Sequence, residues 1–114
     1  MTLSSLLEAI YQNSSELKFT DVLDVIDSEF EFTPTPFTNG PLNNSADQNQ
    51  GSCKILSFAN QAGLSERQTL QLFAEHYRAV LANPEGEEHT NIRQFMKTGW
   101  RGVSFASKPL QKLV

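Results

Sequence analysis

Phe30-Glu31-Phe32-Thr33-Pro34-Thr35-Pro36-Phe37 is a stretch that no helix can occupy. Each proline lacks a backbone donor, and its ring would strike the preceding turn of a helix. The aromatic residues alternate with polar ones, as along a half-buried strand. The same prolines confine any such strand to a sheet edge. The rest of the chain patterns mainly as helix, so this segment decides the class: α+β rather than all-α.

Working outward, Asn39-Gly40-Pro41 reads as a turn. Leu42 to Gly51 is rich in Asn, Gln and Ser and reads as a surface loop, since core residues flank it on both sides. Val103-Ser104-Phe105 alternates and predicts a short strand, the natural antiparallel partner for the Phe32 region. The tail from Lys108 is expected to be loose.

The helical part follows from spacing. Leu3, Leu6, Leu7, Ile10 and Tyr11 share one face behind a Thr2 cap. Val22, Leu23, Ile26 and Phe30 form a second stripe, with Thr20 as the expected cap and Phe19 packing over the first turn. Ile55, Phe58, Ala59 and Ala62 form a third, closed by Gly63 with Leu64 folding back. Ser65-Glu66-Arg67-Gln68 is a capping box. Leu70, Phe73, Tyr77, Val80 and Leu81 then predict one helix from Glu66 to Ala82, about 25 Å long. Thr90 is the expected cap of a last helix carrying Ile92, Phe95 and Met96, ended by Gly99 with Trp100 over Phe95. The expectation is an α+β fold: a mostly helical single domain over residues 1–114, with about five helices and a small antiparallel β element.

Bulk composition narrows function. The chain has 114 residues, 39% of them hydrophobic with eight Phe, enough for one core. The formal net charge of −4 opposes phosphate backbones and acidic lipid, so neither nucleic acid nor membrane is an expected partner. The single cysteine, Cys53, rules out an internal disulfide and any need for an oxidising compartment. No apolar run approaches the roughly 20 residues that span a bilayer. Met1 to Ile10 lacks the basic and apolar regions of a secretory signal peptide. A cytoplasmic monomer is expected. Ser4, Ser5, Ser14 and Ser15 would suit a compositional type III secretion signal, but helix caps and a polar turn are the plainer reading.

Cys53 is the first chemical candidate. Gly51-Ser52-Cys53-Lys54 opens a helix, where the dipole and a neighbouring Lys lower a thiol pKa. At about 100° per residue it falls roughly 160° from Ile55, away from the centre of the apolar stripe. A structural cysteine and a reactive thiol therefore both stay open, and a small Cys53-dependent enzyme is the alternative to a binding domain. A Cys-His nucleophile would need His76 or His89 within reach. His76 reads as a half-buried histidine on the long helix, and His89 as a loop or cap residue behind Glu85, Glu87 and Glu88. Two separated histidines are a weak metal signal, so no metal is expected. Asp47-Gln48-Asn49-Gln50-Gly51 fails as an EF-hand, because Phe58 stands where a bidentate Glu is required. Walker, GxGxxG and GxSxG motifs are absent, and no cofactor is expected. Phe58 to Ser65 and the following helix imitate a helix-turn-helix, but Glu66 and Glu75 make the second helix too acidic to read a groove. A tight αα-hairpin is the plainer reading.

Several ordered blocks carry a family resemblance. Phe32-Thr33-Pro34-Thr35-Pro36-Phe37-Thr38-Asn39-Gly40 resembles an FTPTxFTNG element, and Gly51-Ser52-Cys53-Lys54 a GSCK element. Tyr77-Arg78-Ala79-Val80-Leu81, then Pro84, Gly86, His89, Asn91-Ile92-Arg93, Phe95 and Gly99-Trp100 resemble the remaining blocks. Together they resemble the HopJ type III effector family from the first helix through Phe105. The family takes its name from a plant-pathogen effector delivered by type III secretion, and similar sequences occur in free-living marine bacteria and algae. The resemblance implies no catalytic residue, cofactor or reaction. Within the blocks, Asn39, Asn49, Ser52, Cys53, Lys54, His76, Arg78, His89, Asn91 and Arg93 are polar groups that packing does not require. They are the candidate binding residues for a protein partner or small ligand. A site is expected at the starts of the helices opening near Cys53 and Asn91, close to the Asn39 turn, where helix N-termini could hold an anion or a carbonyl.

Overall fold

The two prolines divide the Phe30–Phe37 segment between two short sheets in the computed structural model, which describes residues 1–113. β1 (Phe30–Phe32) pairs with β5 (Leu110–Lys112), and β2 (Phe37–Asn39) lies between β3 (Leu42–Asn44) and β4 (Val103–Phe105). All pairings are antiparallel. The expected partnership of Phe32 with Val103 is therefore corrected. Val103 faces Asn39, and Phe32 faces Leu110.

Both pairings nevertheless share one register. Phe30 faces Lys112 and Phe37 faces Phe105, so seven steps along one strand match seven back along the other. Between them Ala106 N–H donates to Pro36 O at 2.9 Å and Thr33 N–H to Pro109 O at 2.8 Å. The structure is one ribbon interrupted where Pro34 and Pro36 cannot donate. This also corrects the expectation of a loose tail. Leu110 is fully buried, and its carbonyl accepts from Gln61 Nε2 at 2.9 Å. Leu110→Ala should lower the unfolding free energy by about 2.5 kcal/mol. Urea denaturation checks this, and a loss below about 0.5 kcal/mol would mean that the last strand does not pack.

The six helices are α1 (Leu3–Tyr11), α2 (Phe19–Glu29), α3 (Gln50–Ala62), α4 (Glu66–Leu72), α5 (Glu75–Ala82) and α6 (Thr90–Thr98), the last followed by a 3-10 turn, Gly99–Gly102. Local signals place most ends. Thr2 and Ser5 form a capping box on α1, and Ser65 and Gln68 form another on α4. Gly63 closes α3 at φ 70°, with Leu64 N–H donating to Ala59 O at 3.0 Å and Gly63 N–H to Asn60 O at 3.2 Å. Three starts differ from expectation. α2 begins at Phe19 rather than behind Thr20, and Phe19 N–H donates to Glu75 Oε1 at 2.6 Å. α6 begins behind His89, and Thr90 does not cap it.

The third difference is the predicted helix from Glu66 to Ala82, which is two helices. Ala74, at φ 56° and ψ −126°, breaks it. A non-glycine residue there stores about 1–3 kcal/mol of backbone strain. Leu70, Leu72, Phe73 and Ala74 are all buried, which is more than one straight helical face can cover. The break turns both halves inward. Leu42–Asn44, expected as surface loop, is strand β3, and Asn44 is buried.

The core joins α1, α2 and α3 to the α4–α5 joint, with Leu6, Val22, Ile26, Ile55, Leu56 and Leu72 fully buried. Each contributes about 1.5–3 kcal/mol of burial. Among the described residues no helix is long and apolar enough to cross a membrane.

Candidate functional site

α3 and α6 start in the same unusual way. Asn49 precedes α3 at φ 52° and ψ 43°, and His89 precedes α6 at φ 57° and ψ 52°. Neither side chain caps its helix. A left-handed residue leading into a right-handed turn points successive backbone N–H groups toward one concavity. Among the described residues the first-turn N–H groups of both helices are thus left without side-chain acceptors, each at a positive dipole end.

The two starts open on one cleft of about 380 Å³, lined by Asn49, Ser52, His76, His89 and Asn91, with Phe19 and Phe73 behind and Glu87 and Glu88 on the rim. An aromatic row runs along its wall. Phe19 stacks on Phe73 at 6.3 Å, meets His76 edge-on at 4.7 Å, and His76 lies 4.8 Å from His89. A Cβ at Gly51 would stand 3.1 Å from Phe19 Cζ, so glycine lets the ring lie against the first turn of α3.

Beneath the cleft lies a network of four asparagines. Asn39 Nδ2 donates to Asn91 O at 2.9 Å and to Asn91 Oδ1 at 3.0 Å. Asn91 Nδ2 donates to Asn44 Oδ1 at 3.1 Å, and Asn49 Nδ2 to the same oxygen at 2.7 Å. Asn44 Nδ2 reaches back to Asn91 Oδ1 at 3.4 Å. The amides tie β2 and β3 to the starts of α3 and α6, and so fix the two helix ends relative to each other. Asn39 Oδ1 is buried and accepts nothing among the described residues.

The rim loop is held by Arg93. Its guanidinium donates to Glu88 O at 2.6 Å, Pro84 O at 3.1 Å, Asn83 O at 3.0 Å and Glu88 Oε1 at 2.7 Å. The Glu88 carboxyl is held below the usual carboxylate range, first by its own backbone N–H and then by Arg93. Behind the wall, burial works to raise the Glu75 carboxyl. The Phe19 N–H and its own N–H, with the nearby charges of His76 and Arg78, outweigh that and hold it low.

The ten sequence candidates divide accordingly. Asn49, Ser52, His76, His89 and Asn91 line the cleft, Asn39 supports it from below, and Arg93 shapes its rim. Lys54, Arg78 and Cys53 lie outside its lining. Lys54 pairs with Asp27 at 2.8 Å and sits 5.0 Å over the Phe32 ring. Arg78 donates to Leu17 O at 2.9 Å. Cys53 is 2% exposed, although projection puts it off the apolar stripe. α3 is a central helix, buried at Cys53, Ile55, Leu56, Ser57, Phe58 and Ala59, so a one-sided stripe misjudges it. Asn44, Phe19 and Glu75 are contributors that the sequence reading passed over. Among the described residues, no three His, Cys, Asp or Glu side chains gather to hold a metal.

Burial pushes the Cys53 thiol up from an ordinary 9.0 to about 11, against the lowering effect of a backbone hydrogen bond with Thr35. Iodoacetamide alkylation of the folded protein should stay slow through pH 9 and rise only toward pH 11. The folded state keeps this proton longer than the unfolded chain. Its contribution to stability is therefore present below pH 9 and lost as pH climbs toward 11, by about 1.4 kcal/mol per unit. Rapid alkylation at pH 7 would contradict the burial.

At the helix-turn-helix look-alike, the start of α4 is occupied, since Glu66 Oε2 accepts from Trp100 N–H at 3.0 Å.

A family model described as HopJ type III effector protein matches residues 3–110. The chain is also similar to a solved crystal structure, that of the unknown-function protein VPA0580. The two are 39% identical, with a TM-score of 0.94 and coverage of 99% of this chain and 95% of that one. None of the curated proteins compared matches the chain.

Proposed function

The chain belongs to the HopJ type III effector family, and from that premise we propose that it is a small-ligand-binding domain whose site is the cleft between the first turns of α3 and α6. The ligand class is a small organic anion. The observation that carries this reading is the pair of left-handed, uncapped helix starts, Asn49 and His89, opening on one cleft. Backbone N–H groups at two positive dipole ends favour a carboxylate or similar group. The aromatic row of Phe19, His76 and His89 offers ring surface to the ligand's body. Ser52 and Asn91 add polar side chains at the first turns. The asparagine network beneath supplies the preorganisation that affinity needs, because neither helix start must be ordered on binding.

A benzoate titration followed by amide NMR tests this. Saturable shifts are expected in the first turns of both α3 and α6 together, with acetate binding at least fivefold more weakly for want of a ring. His76→Ala should weaken benzoate and leave the fold intact. Shifts confined to one helix start, or none, would remove the proposal. The place of action we propose is cytoplasmic, in the recipient cell where a type III apparatus delivers the protein. A cyclase-reporter fusion that signals in recipient cells only from a secretion-competent strain checks that.

A further inference from the structure

α5 has a second side. His76 faces the cleft just described, whereas Tyr77, Arg78 and Leu81 line a separate one of about 290 Å³, with Arg67 and Gln71 of α4 and the Asn13–Ser15 turn opposite. We propose that this second cleft binds a compact oxyanion of the phosphate-monoester class, held between the guanidinium groups of Arg67 and Arg78.

Charge is the first argument. The protein carries a net charge of −4, yet two arginines and no Asp or Glu line this cleft. Among the described residues the ion pairs are Lys54–Asp27 and Arg93–Glu88, so neither Arg67 nor Arg78 has a carboxylate partner. Glu75, one turn before Arg78, interacts with its charge but turns its carboxylate to Phe19 N–H and stays outside the lining. Guanidinium forks match the geometry of phosphate oxygens, and an unpaired arginine is the group such ligands recruit.

Donor supply is the second argument. Arg78 spends one nitrogen on Leu17 O and keeps the others free among the described residues. That single bond anchors the guanidinium, so less freedom is lost on binding. Tyr77 and Ser15 bring hydroxyls, and Asn13 gives its oxygen to Gln71 Nε2 while its own NH₂ has no partner among the described residues. Gln71 Oε1 is buried at the wall and accepts nothing among the described residues. An oxyanion that still carries an O–H, as hydrogen phosphate does, matches a wall of donors with one unfilled acceptor.

The third argument is backbone strain. Ala74 lines this cleft at φ 56° and ψ −126°, and strained residues cluster at ligand clamps.

Inorganic phosphate is the probe, with sodium chloride at matched ionic strength as control. Arginine Nε–H signals and backbone amides are followed by NMR. Phosphate should shift the Arg67 and Arg78 signals and the Asn13–Ser15 amides saturably, and chloride should not. Arg67→Gln, at an exposed position, should weaken that binding at least fivefold with the fold unchanged. Arg78→Gln should do the same, with Arg78→Lys recovering part of it. Amides in the first turns of α3 and α6 report the other cleft, so the two sites are read separately. A linear response, an equal response to chloride, shifts confined to the first cleft, or binding untouched by Arg67→Gln would each overturn the proposal.

Discussion

Gly99→Ala is expected to lower the unfolding free energy by about 4 kcal/mol, a large share of the roughly 5–15 kcal/mol that holds a domain together. Gly99 sits at φ 58° and ψ −152°, a region essentially reserved for glycine. A Cβ there would fall on the Glu66 carboxylate. That carboxylate receives Trp100 N–H, while Trp100 Nε1 donates to Leu64 O at 3.2 Å and the indole meets Phe95 edge-on at 5.0 Å. The substitution therefore strains the backbone and also prises Trp100 from α4. Guanidinium denaturation followed by tryptophan fluorescence reports both effects, since Trp100 is the single tryptophan. A loss under about 1 kcal/mol would show that the turn relaxes freely and that the Glu66 contact is dispensable.

Asn91→Ala should cost about 3–4 kcal/mol. Asn91 Oδ1 accepts from Asn39 and Asn44, and its Nδ2 donates to Asn44. All three amides are buried. Truncation strands a donor on Asn44 and weakens the hold on Asn39. The effect should not be confined to stability. With the tie between β3 and the start of α6 cut, amide exchange at His89–Ile92 should accelerate more than exchange in α1. Uniform acceleration would indicate a general loss of stability and no specific role in joining the two helix starts.

Much of the fold was readable in advance where its causes are local. Thr2, Ser65–Gln68 and Gly63–Leu64 act within one turn, and their geometry follows from residue type. Gly99 and Trp100 behave likewise. Pro34 and Pro36 rightly forced the chain out of helix. What could not be read depends on partners far along the chain. The spacing of Leu70, Phe73, Tyr77 and Val80 passes through the Ala74 break without a stutter, and the break goes with the tertiary burial of Leu70, Leu72, Phe73 and Ala74 together. Phe19 is capped by Glu75, and no local signal connects residues so far apart. Asn44 lies in a polar run that resembles a loop, and its burial is offset by hydrogen bonds from Asn91 and Asn49 that local sequence does not reveal. At the site, His89, Asn49 and Asn91 stood out as polar groups that packing does not need. Their convergence is tertiary information.

The uniform register of the proline-interrupted ribbon bears on when the protein can exist folded at all. Phe37–Asn39 pair locally with β3, but Phe30–Phe32 find their mates in Leu110–Lys112 and the other edge of Phe37–Asn39 finds its mate in Val103–Phe105, so a loop of roughly sixty residues must close before the ribbon forms. A chain emerging from the ribosome therefore carries the Phe30–Phe32 strand unpaired until Leu110–Lys112 have been synthesised. The same holds on leaving any narrow conduit N-terminus first: the ribbon closes only when residues 103–112 arrive, and until then Phe30–Phe32 has no strand to pair with.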